Sequence, residues 1–304
     1  MDRRERFETE LLPHLRSLYG AAHRLARNAA DAEDLVQETF LRVLERPPGP
    51  GDLKPWVARV CVNLARDAYR RRRLRPYVGP WLPEPTEDEE VVAFEPRETS
   101  ARYDLVESAS IAFLVALEAL TPRQRAVLLL RDVLDWSVEE TAAALGSNEG
   151  AIKTCHHRAR AAMAGYEDAH ARFSVAEARG ASAAMLARFA EALAAGDPER
   201  LGELFAEGAV LVSDGAGEVA ATMKPIRGPA KIAKFLLGVA RFHEGMVARV
   251  ALVNGLPAVV GRSPHGTGRA PELHVTFLDV GPDGKVVGFY SVVAPRKLGA
   301  ITFP

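Results

Sequence analysis

Between Arg59 and Arg75 seven arginines (Arg59, Arg66, Arg70, Arg71, Arg72, Arg73 and Arg75) stand against one acid, Asp67. Guanidinium groups at that density suit phosphate, because each presents a rigid fork of donors that two phosphate oxygens accept together. A second polar set, Lys153, Thr154, His157, Arg158 and Arg160, falls within one short stretch. It mixes cations with a hydroxyl and an imidazole, the groups that hold a nucleic-acid backbone and reach base edges. Proton-transfer chemistry has thinner support. Asp214, His243, His265 and His274 are its candidates, each a commonplace residue where it stands, and no catalytic assignment is made. Cys61 and Cys155 lie far apart without Cys-x-x-Cys spacing, which supports neither a disulfide framework nor a zinc site, so each is read as a buried free thiol. No metal or cofactor is expected.

These groups sit in a chain of 304 residues, 48% hydrophobic and 26% charged, the composition of a soluble globular protein of about two ordinary domains. No apolar run approaches the roughly 18 residues of a membrane span, and Met1-Asp2-Arg3-Arg4-Glu5-Arg6 leads into no apolar signal core, so a cytoplasmic location is expected. The net charge of −1 hides a strong asymmetry. Against the arginine block, the stretch from Glu84 to Glu107 carries nine acids and only Arg97 and Arg102 as bases. The basic block is an anion-binding footprint, and the acidic one reads as a solvated linker. Its proline-rich start, Pro76 to Pro85, is kept out of helix interiors, yet it carries Trp81 and Leu82, which require a docking place.

The basic residues need helices to present them. Phe7, Leu11, Leu15, Leu18 and Ala22 form one apolar stripe, and Leu35, Phe40, Val43 and Leu44 belong to the next helix, with Asp31 expected as its N-cap. A third begins near Leu53, burying Trp56, Val60, Leu64 and Ala68 and presenting Arg59, Asn63, Arg66 and Arg70 on its other face. Further on, Thr121-Pro122-Arg123-Gln124 and Ser137-Val138-Glu139-Glu140 are helix starts with capping residues. From Ser137 a short helix to Leu145, a turn at Gly146 and a longer helix from Asn148 to about Tyr166 make a helix-turn-helix pattern. In the longer helix Ile152, Cys155, Ala159 and Met163 share one face, leaving Lys153, Thr154, His157, Arg158 and Arg160 for a major groove.

Beyond it, Val175 to Ala195 reads as a helix, and a second helix start runs through Leu201, Leu204 and Phe205. The period then changes to two. Ala209 to Ser213 is a strand, Met246–Val253 and Leu256–Gly261 flank the hairpin signal Asn254-Gly255, and Leu273–Val280 and Val286–Val293 flank Gly281-Pro282-Asp283-Gly284. Helices followed by a curved antiparallel sheet is α+β order.

Three segments together resemble the extracytoplasmic-function sigma factors of the bacterial sigma-70 family. They are Asp31 through Val43, with its Asp-Ala-Glu-Asp-Leu-Val-Gln-Glu-Thr-Phe core, Trp56 through Arg71, and the pair Leu120–Arg125 and His157–Arg160. The C-terminal third is similar to the SnoaL-like branch of the nuclear-transport-factor-2-like cone fold, which a subgroup of the family carries. Trp81-Leu82-Pro83-Glu84-Pro85 resembles that subgroup's linker motif. Its Asp-Gly-Gly-Gly-Lys motif is altered here to Asp214-Gly215-Ala216-Gly217-Glu218, and its Asn-Pro-Asp-Lys-Leu to Ala294-Pro295-Arg296-Lys297-Leu298.

The resemblance implies a multidomain chain: two all-α sigma domains, a helical bundle (1–75) and a helix-turn-helix (108–171), joined by an acidic linker (76–107) and followed by an α+β cone domain (172–304). It implies a non-enzymatic promoter-recognition subunit whose partners are core RNA polymerase, through the clamp helices of the largest subunit and the flap, and promoter DNA. Asp34, Gln37 and Glu38 would meet polymerase. Asn63, Arg66, Arg70 and Arg71 would hold the −10 element, with Asn63 against a flipped base. Lys153, Thr154, His157, Arg158 and Arg160 would serve the −35 element, although Cys155 and His156 replace the Arg and Leu many members carry there. Trp81, Leu82, Pro83, Asp214, Gly215 and Lys297 would form a regulatory contact, the cone domain acting within the chain in place of an anti-sigma factor. The alternatives are a SnoaL-like enzyme with a helical DNA-binding module and a helix-turn-helix repressor.

Overall fold

The computed structural model describes residues 5, 9, 22, 24, 25, 29–45, 59–64, 77–87, 103, 110–170, 175–240, 245–263 and 271–303. The apolar stripe from Phe7 to Leu18, together with Arg66, Arg70, Arg71, His243 and His265, lies outside the described residues. In chain order the helices are α1 (Ala29–Glu45), α2 (Ile111–Ala116), α3 (Pro122–Leu128), α4 (Val138–Leu145), α5 (Glu149–His170), α6 (Val175–Ala195), α7 (Pro198–Gly202) and α8 (Pro229–Ala240). The strands are β1 (Phe205–Asp214), β2 (Ile226–Arg227), β3 (Val247–Val253), β4 (Leu256–Arg262), β5 (Leu273–Val280) and β6 (Val286–Val292). They fall into two compact units. The first takes Met1–Pro76, Glu95–Ala109 and Ala116–Ala164, and the second takes Tyr77–Phe94, Ser110–Val115 and Gly165–Pro304.

In the first unit α1 buries Ala32, Leu35, Val36, Phe40 and Val43 against Cys61 of the helical residues 59–64. Burial pushes the Cys61 thiol up to about 12, so it stays protonated as an apolar filler. Cys155, expected to be buried, is only half-buried. α1 begins at Ala29, two residues before the expected cap. Asp31 therefore lies inside the first turn, where a carboxylate still complements the unpaired amides of the helix start.

The helix-turn-helix follows from its punctuation. Thr121 and Ser137 each accept a hydrogen bond from the amide three residues on, and Gln124 and Glu140 return the favour to the cap amides. Gly146 ends α4 in the left-handed region at φ 58°, a conformation that costs glycine least. Asn148 Oδ1 accepts from the Ala151 amide at 2.8 Å to start α5, which runs to His170 rather than stopping at Tyr166. Between α3 and α4 the chain widens into a π-turn, Leu129–Val133, that the sequence pattern does not announce.

The second unit is a six-stranded sheet in the order β2-β1-β6-β5-β4-β3. It differs from the expected antiparallel sheet in one pair: β1 runs parallel to β6. Phe205 opens β1 instead of extending α7, and α8 is a helix that the sequence reading left unassigned. The hairpin at Asn254-Gly255 forms with both residues at positive φ, 50° and 81°, as a tight two-residue turn requires. The central strands β5 and β6 are covered on both faces, whereas the edge strand β3 leaves Val247 and Val250 exposed. Leu278, Val280 and Phe289 pack under Met185, Leu186 and Phe189 of α6 and Ile232 of α8. On the other face Val275, Phe277 and Val292 are covered by Leu298, Ile301, Ile111 of α2 and Leu82 from the proline-rich segment. The segment read as solvated is, over residues 77–87, half-buried or buried except at Val78.

Candidate functional site

The −35 candidates Lys153, Thr154, His157, Arg158 and Arg160 are all carried by α5. Ile152, Ala159 and Met163 are fully buried, which seats the helix and leaves Lys153, Thr154, His157 and Arg158 exposed. Lys153 pairs with Glu149 at 3.2 Å, and the Thr154 hydroxyl donates to the Gly150 carbonyl at 3.0 Å. Both contacts are surface ones that a ligand can replace at small cost. Arg160 behaves differently. Its guanidinium donates to both oxygens of Asp132, Nη2 to Oδ1 at 2.6 Å and Nε to Oδ2 at 3.1 Å. His156 adds a third hydrogen bond to Asp132 Oδ2 at 2.8 Å.

In the −10 candidate, the described residues 59–64 carry Arg59 and Asn63. Asn63 is half-buried. The Arg59 side chain donates to the last carbonyls of α4, from Nε to Ala144 O at 3.0 Å and from Nη2 to Ala143 O. A cation at the C-terminal end of a helix is favoured by the partial negative charge there. On α1, Asp34 and Gln37 are exposed beside the exposed Leu41, and Glu38 pairs with Arg42 at 2.8 Å. This leaves a mixed acidic and apolar stripe facing outward.

The regulatory candidates converge on one carboxylate in the second unit. Asp214, at the end of β1, is fully buried and accepts four hydrogen bonds. Tyr77 Oη donates to Oδ1 at 2.5 Å, the Leu82 amide to Oδ2 at 2.7 Å, the Ala216 amide to Oδ1 at 3.1 Å, and Lys297 Nζ to Oδ2 at 2.7 Å. A buried charge is tolerable only with this degree of pairing. Lys297 also donates to the Leu82 carbonyl, and its ammonium stands over the Trp81 ring at 4.2 Å and the Tyr77 ring at 5.0 Å, within cation–π range. Burial pushes the Tyr77 phenol up, the Asp214 carboxylate adds to this and Arg296 opposes it, so the phenol keeps the proton it donates.

Glycines fit the loop to the proline-rich segment. A side chain on Gly215 would meet Val219 O and Ala221 Cβ at 2.8 Å, and one on Gly217 would meet Val78 Cβ at 2.9 Å. Pro83 is buried beside Leu82. Farther along, Thr86 donates its amide to Asn254 Oδ1 at 3.2 Å and accepts the Asn254 amide at its carbonyl, and Arg249 pairs with Glu87. The structure thus brings Trp81, Leu82, Asp214 and Lys297 into one site and adds Tyr77 to it, with separate contacts of the same segment at Asn254 and Arg249; sequence reasoning missed these because no motif links residues so far apart.

Of the proton-transfer candidates, Asp214 and His274 are among the described residues. Asp214 is occupied by its donors, and the His274 ring lies close to Gly261, where an added Cβ would sit 2.3 Å from it. Another buried acid, Asp279, is engaged by His170 Nε2 at 2.7 Å.

Residues 12–75 match the family model for sigma-70 region 2, and residues 110–163 match that for sigma-70, region 4. The chain is 32% identical over 287 residues to the ECF RNA polymerase sigma factor SigJ of Mycobacterium tuberculosis, spanning 92% of this chain and 89% of that protein. It is 32% identical over 328 residues to SigG of the same organism, another ECF RNA polymerase sigma factor, spanning 98% and 85%. The crystal structure of Mycobacterium tuberculosis SigJ superposes with a TM-score of 0.74 at 28% identity, covering 94% of this chain and 95% of that one.

Proposed function

The chain belongs to the extracytoplasmic-function RNA polymerase sigma factors, and from that premise we propose that its SnoaL-like domain regulates promoter recognition from within the chain, by gripping the segment between the −10 and −35 regions. As a sigma factor it is a specificity subunit of RNA polymerase that directs transcription initiation, and not an enzyme.

The observation that supports the regulatory reading is the Asp214 site. Two side chains of the C-terminal domain, Asp214 and Lys297, paired with each other, hold Tyr77, Trp81 and Leu82 through hydrogen bonds and two ring contacts. A separate anti-sigma factor is then unnecessary for restraining the segment, since its partner is tethered in cis and always at high effective concentration.

Within this reading residues 1–75 and 108–171 are the −10 and −35 domains, 76–107 the connecting segment and 172–304 the regulator. Asp34, Gln37 and Glu38 face the clamp helices of the largest subunit, and the −35 domain meets the flap. Asn63 holds a flipped base, and Arg66, Arg70 and Arg71 bind phosphates of the −10 element. Lys153, Thr154, His157 and Arg158 enter the groove at the −35 element, their exposure on α5 being the supporting feature.

Run-off transcription tests it. Core polymerase with the full-length chain is expected to give promoter-dependent transcripts, and Lys297→Met is expected to raise promoter binding by the free protein. Equal binding by variant and wild type would remove the regulatory role.

A further inference from the structure

A buried carboxylate in the helix-turn-helix remains without a role in any DNA contact. Asp132 lies in the π-turn Leu129–Val133 and is 2% exposed. It receives the Arg160 fork on both oxygens and the His156 ring on one. His156 and Arg160 are four residues apart, so they stand one above the other on α5. At 100° per residue they fall on the flank between the buried stripe of Ile152, Ala159 and Met163 and the exposed set Lys153, His157 and Arg158. One carboxylate therefore grips two successive turns of the recognition helix at the edge of its reading face.

Apolar contacts set how deeply a helix seats but are non-directional, so they resist rotation about its axis weakly. A bidentate pair is directional. The setting matters: a rotation of about 30° moves a side-chain tip roughly 5–6 Å from the axis by about 3 Å, a whole hydrogen-bond length. The neighbouring cations are engaged elsewhere. Arg131 donates to the Trp136 carbonyl, and Arg125 donates to the Leu117 carbonyl and lies near Glu118. The Tyr103 amide donates to the Asp132 carbonyl, which fixes the backbone from which the carboxylate projects.

We propose that Asp132 is a positioning residue for −35 recognition, setting the rotation of α5 through His156 and Arg160. Arg160 then serves the promoter through this pair and not by contact with phosphate, which revises its expected place among the DNA-binding residues. His156, at a position where many members of the family carry Leu, makes the grip two-handed in this chain.

The inference rests on the −35 reading, and the experiment separates the two. Full-length protein with core polymerase is tested on a promoter selected by the wild-type factor and on single-base variants of its −35 element, using Asp132→Asn, Arg160→Gln, the double variant and Arg160→Lys. Each single variant is expected to lose −35 discrimination by at least about fivefold, the worth of one mismatched base pair. The double variant is expected to be no worse than either single, because one interaction is removed once. The slope of log affinity against log salt is expected to stay unchanged, and Arg160→Lys, which keeps the charge but loses the fork, is expected to behave like Arg160→Gln.

Three results overturn it. Arg160→Gln could lower the salt slope by about 0.9, the signature of one lost phosphate contact, with Arg160→Lys retaining activity. All variants could keep full discrimination while only melting earlier, which would make the cluster structural. The wild-type factor itself could ignore −35 changes, which would remove the underlying reading before any variant is compared. Should Asp132→Asn fail to fold, the contrast between Arg160→Lys and Arg160→Gln still decides.

Discussion

The Lys297 ammonium lies 2.7 Å from the Asp214 carboxylate, with both side chains buried and 83 positions apart in the chain. The pair closes the loop after β1 onto the last 3-10 turn, Pro295–Lys297, and clasps the proline-rich segment between them. Removing one partner of a buried pair strands the other's charge, which costs about 3–5 kcal/mol. Lys297→Met is therefore expected to destabilise the C-terminal unit by about that amount in denaturant unfolding and to expose residues 77–87 to protease. Asp214→Leu combined with Lys297→Met is expected to recover none of the loss, because the Tyr77 hydroxyl and the Leu82 and Ala216 amides then lose their buried acceptor.

Around this clasp the family motifs have exchanged charge. Glu218 stands where the subgroup has Lys, Arg296 stands where it has Asp, and the two pair at 3.0 Å. In this chain the Arg296–Glu218 pair joins the loop to the turn. The pair is half-exposed and screened, so its coupling is expected to be about 0.2–1 kcal/mol. Glu218→Lys and Arg296→Asp are each expected to loosen the segment, and the double exchange to restore it, as measured by protection of residues 77–87.

The same loop carries a strained residue. Ala216 replaces a motif glycine and sits at φ 52°, a region in which a side chain costs of order 1 kcal/mol. Ala216→Gly is expected to relieve this and stabilise the C-terminal unit by up to about 1 kcal/mol, offset in part by the freer unfolded chain. A melting scan of the variant against wild type checks the sign.

The helix-turn-helix should show an acid-sensitive term. Burial pushes Asp132 up, but hydrogen bonds and charge from His156 and Arg160 outweigh it and hold the carboxyl below its ordinary value of 3.8. Below that value the unfolded chain takes up the proton first. The stabilisation is thus present above about pH 3.8 and lost as pH falls through the lower folded value. The stability difference between wild type and Asp132→Asn is expected to shrink in strong acid, as equilibrium unfolding at a series of acid pH values checks.

Local signals were the most legible part of this fold. The capping residues at Thr121 and Ser137 and the Asn254-Gly255 turn each act within a few residues, so their geometry follows from side-chain chemistry alone. Trp81 and Leu82 announced that the proline-rich segment must dock, since two large apolar side chains between prolines have no local partner. The dock itself was not legible, because Asp214 meets Tyr77 across 137 positions. The same limit hid the parallel pairing of β1 with β6 and the grip of Asp132 on α5. Phe205 misled for a different reason: it follows Leu201 and Leu204 at helical spacing, and only the burial of β1 against the sheet decides for strand. In α8 the stripe Ile232, Ala233 and Leu236 was present but short, within a region dominated by turn residues.

The most direct measurement is run-off transcription by core polymerase on a promoter selected by the wild-type factor, comparing the full-length chain with Lys297→Met at matched concentration. The account predicts a promoter-dependent transcript from both, several-fold stronger with the variant because the segment between the −10 and −35 regions is released. A transcript of equal strength from the two proteins would contradict regulation through the Asp214–Lys297 clasp.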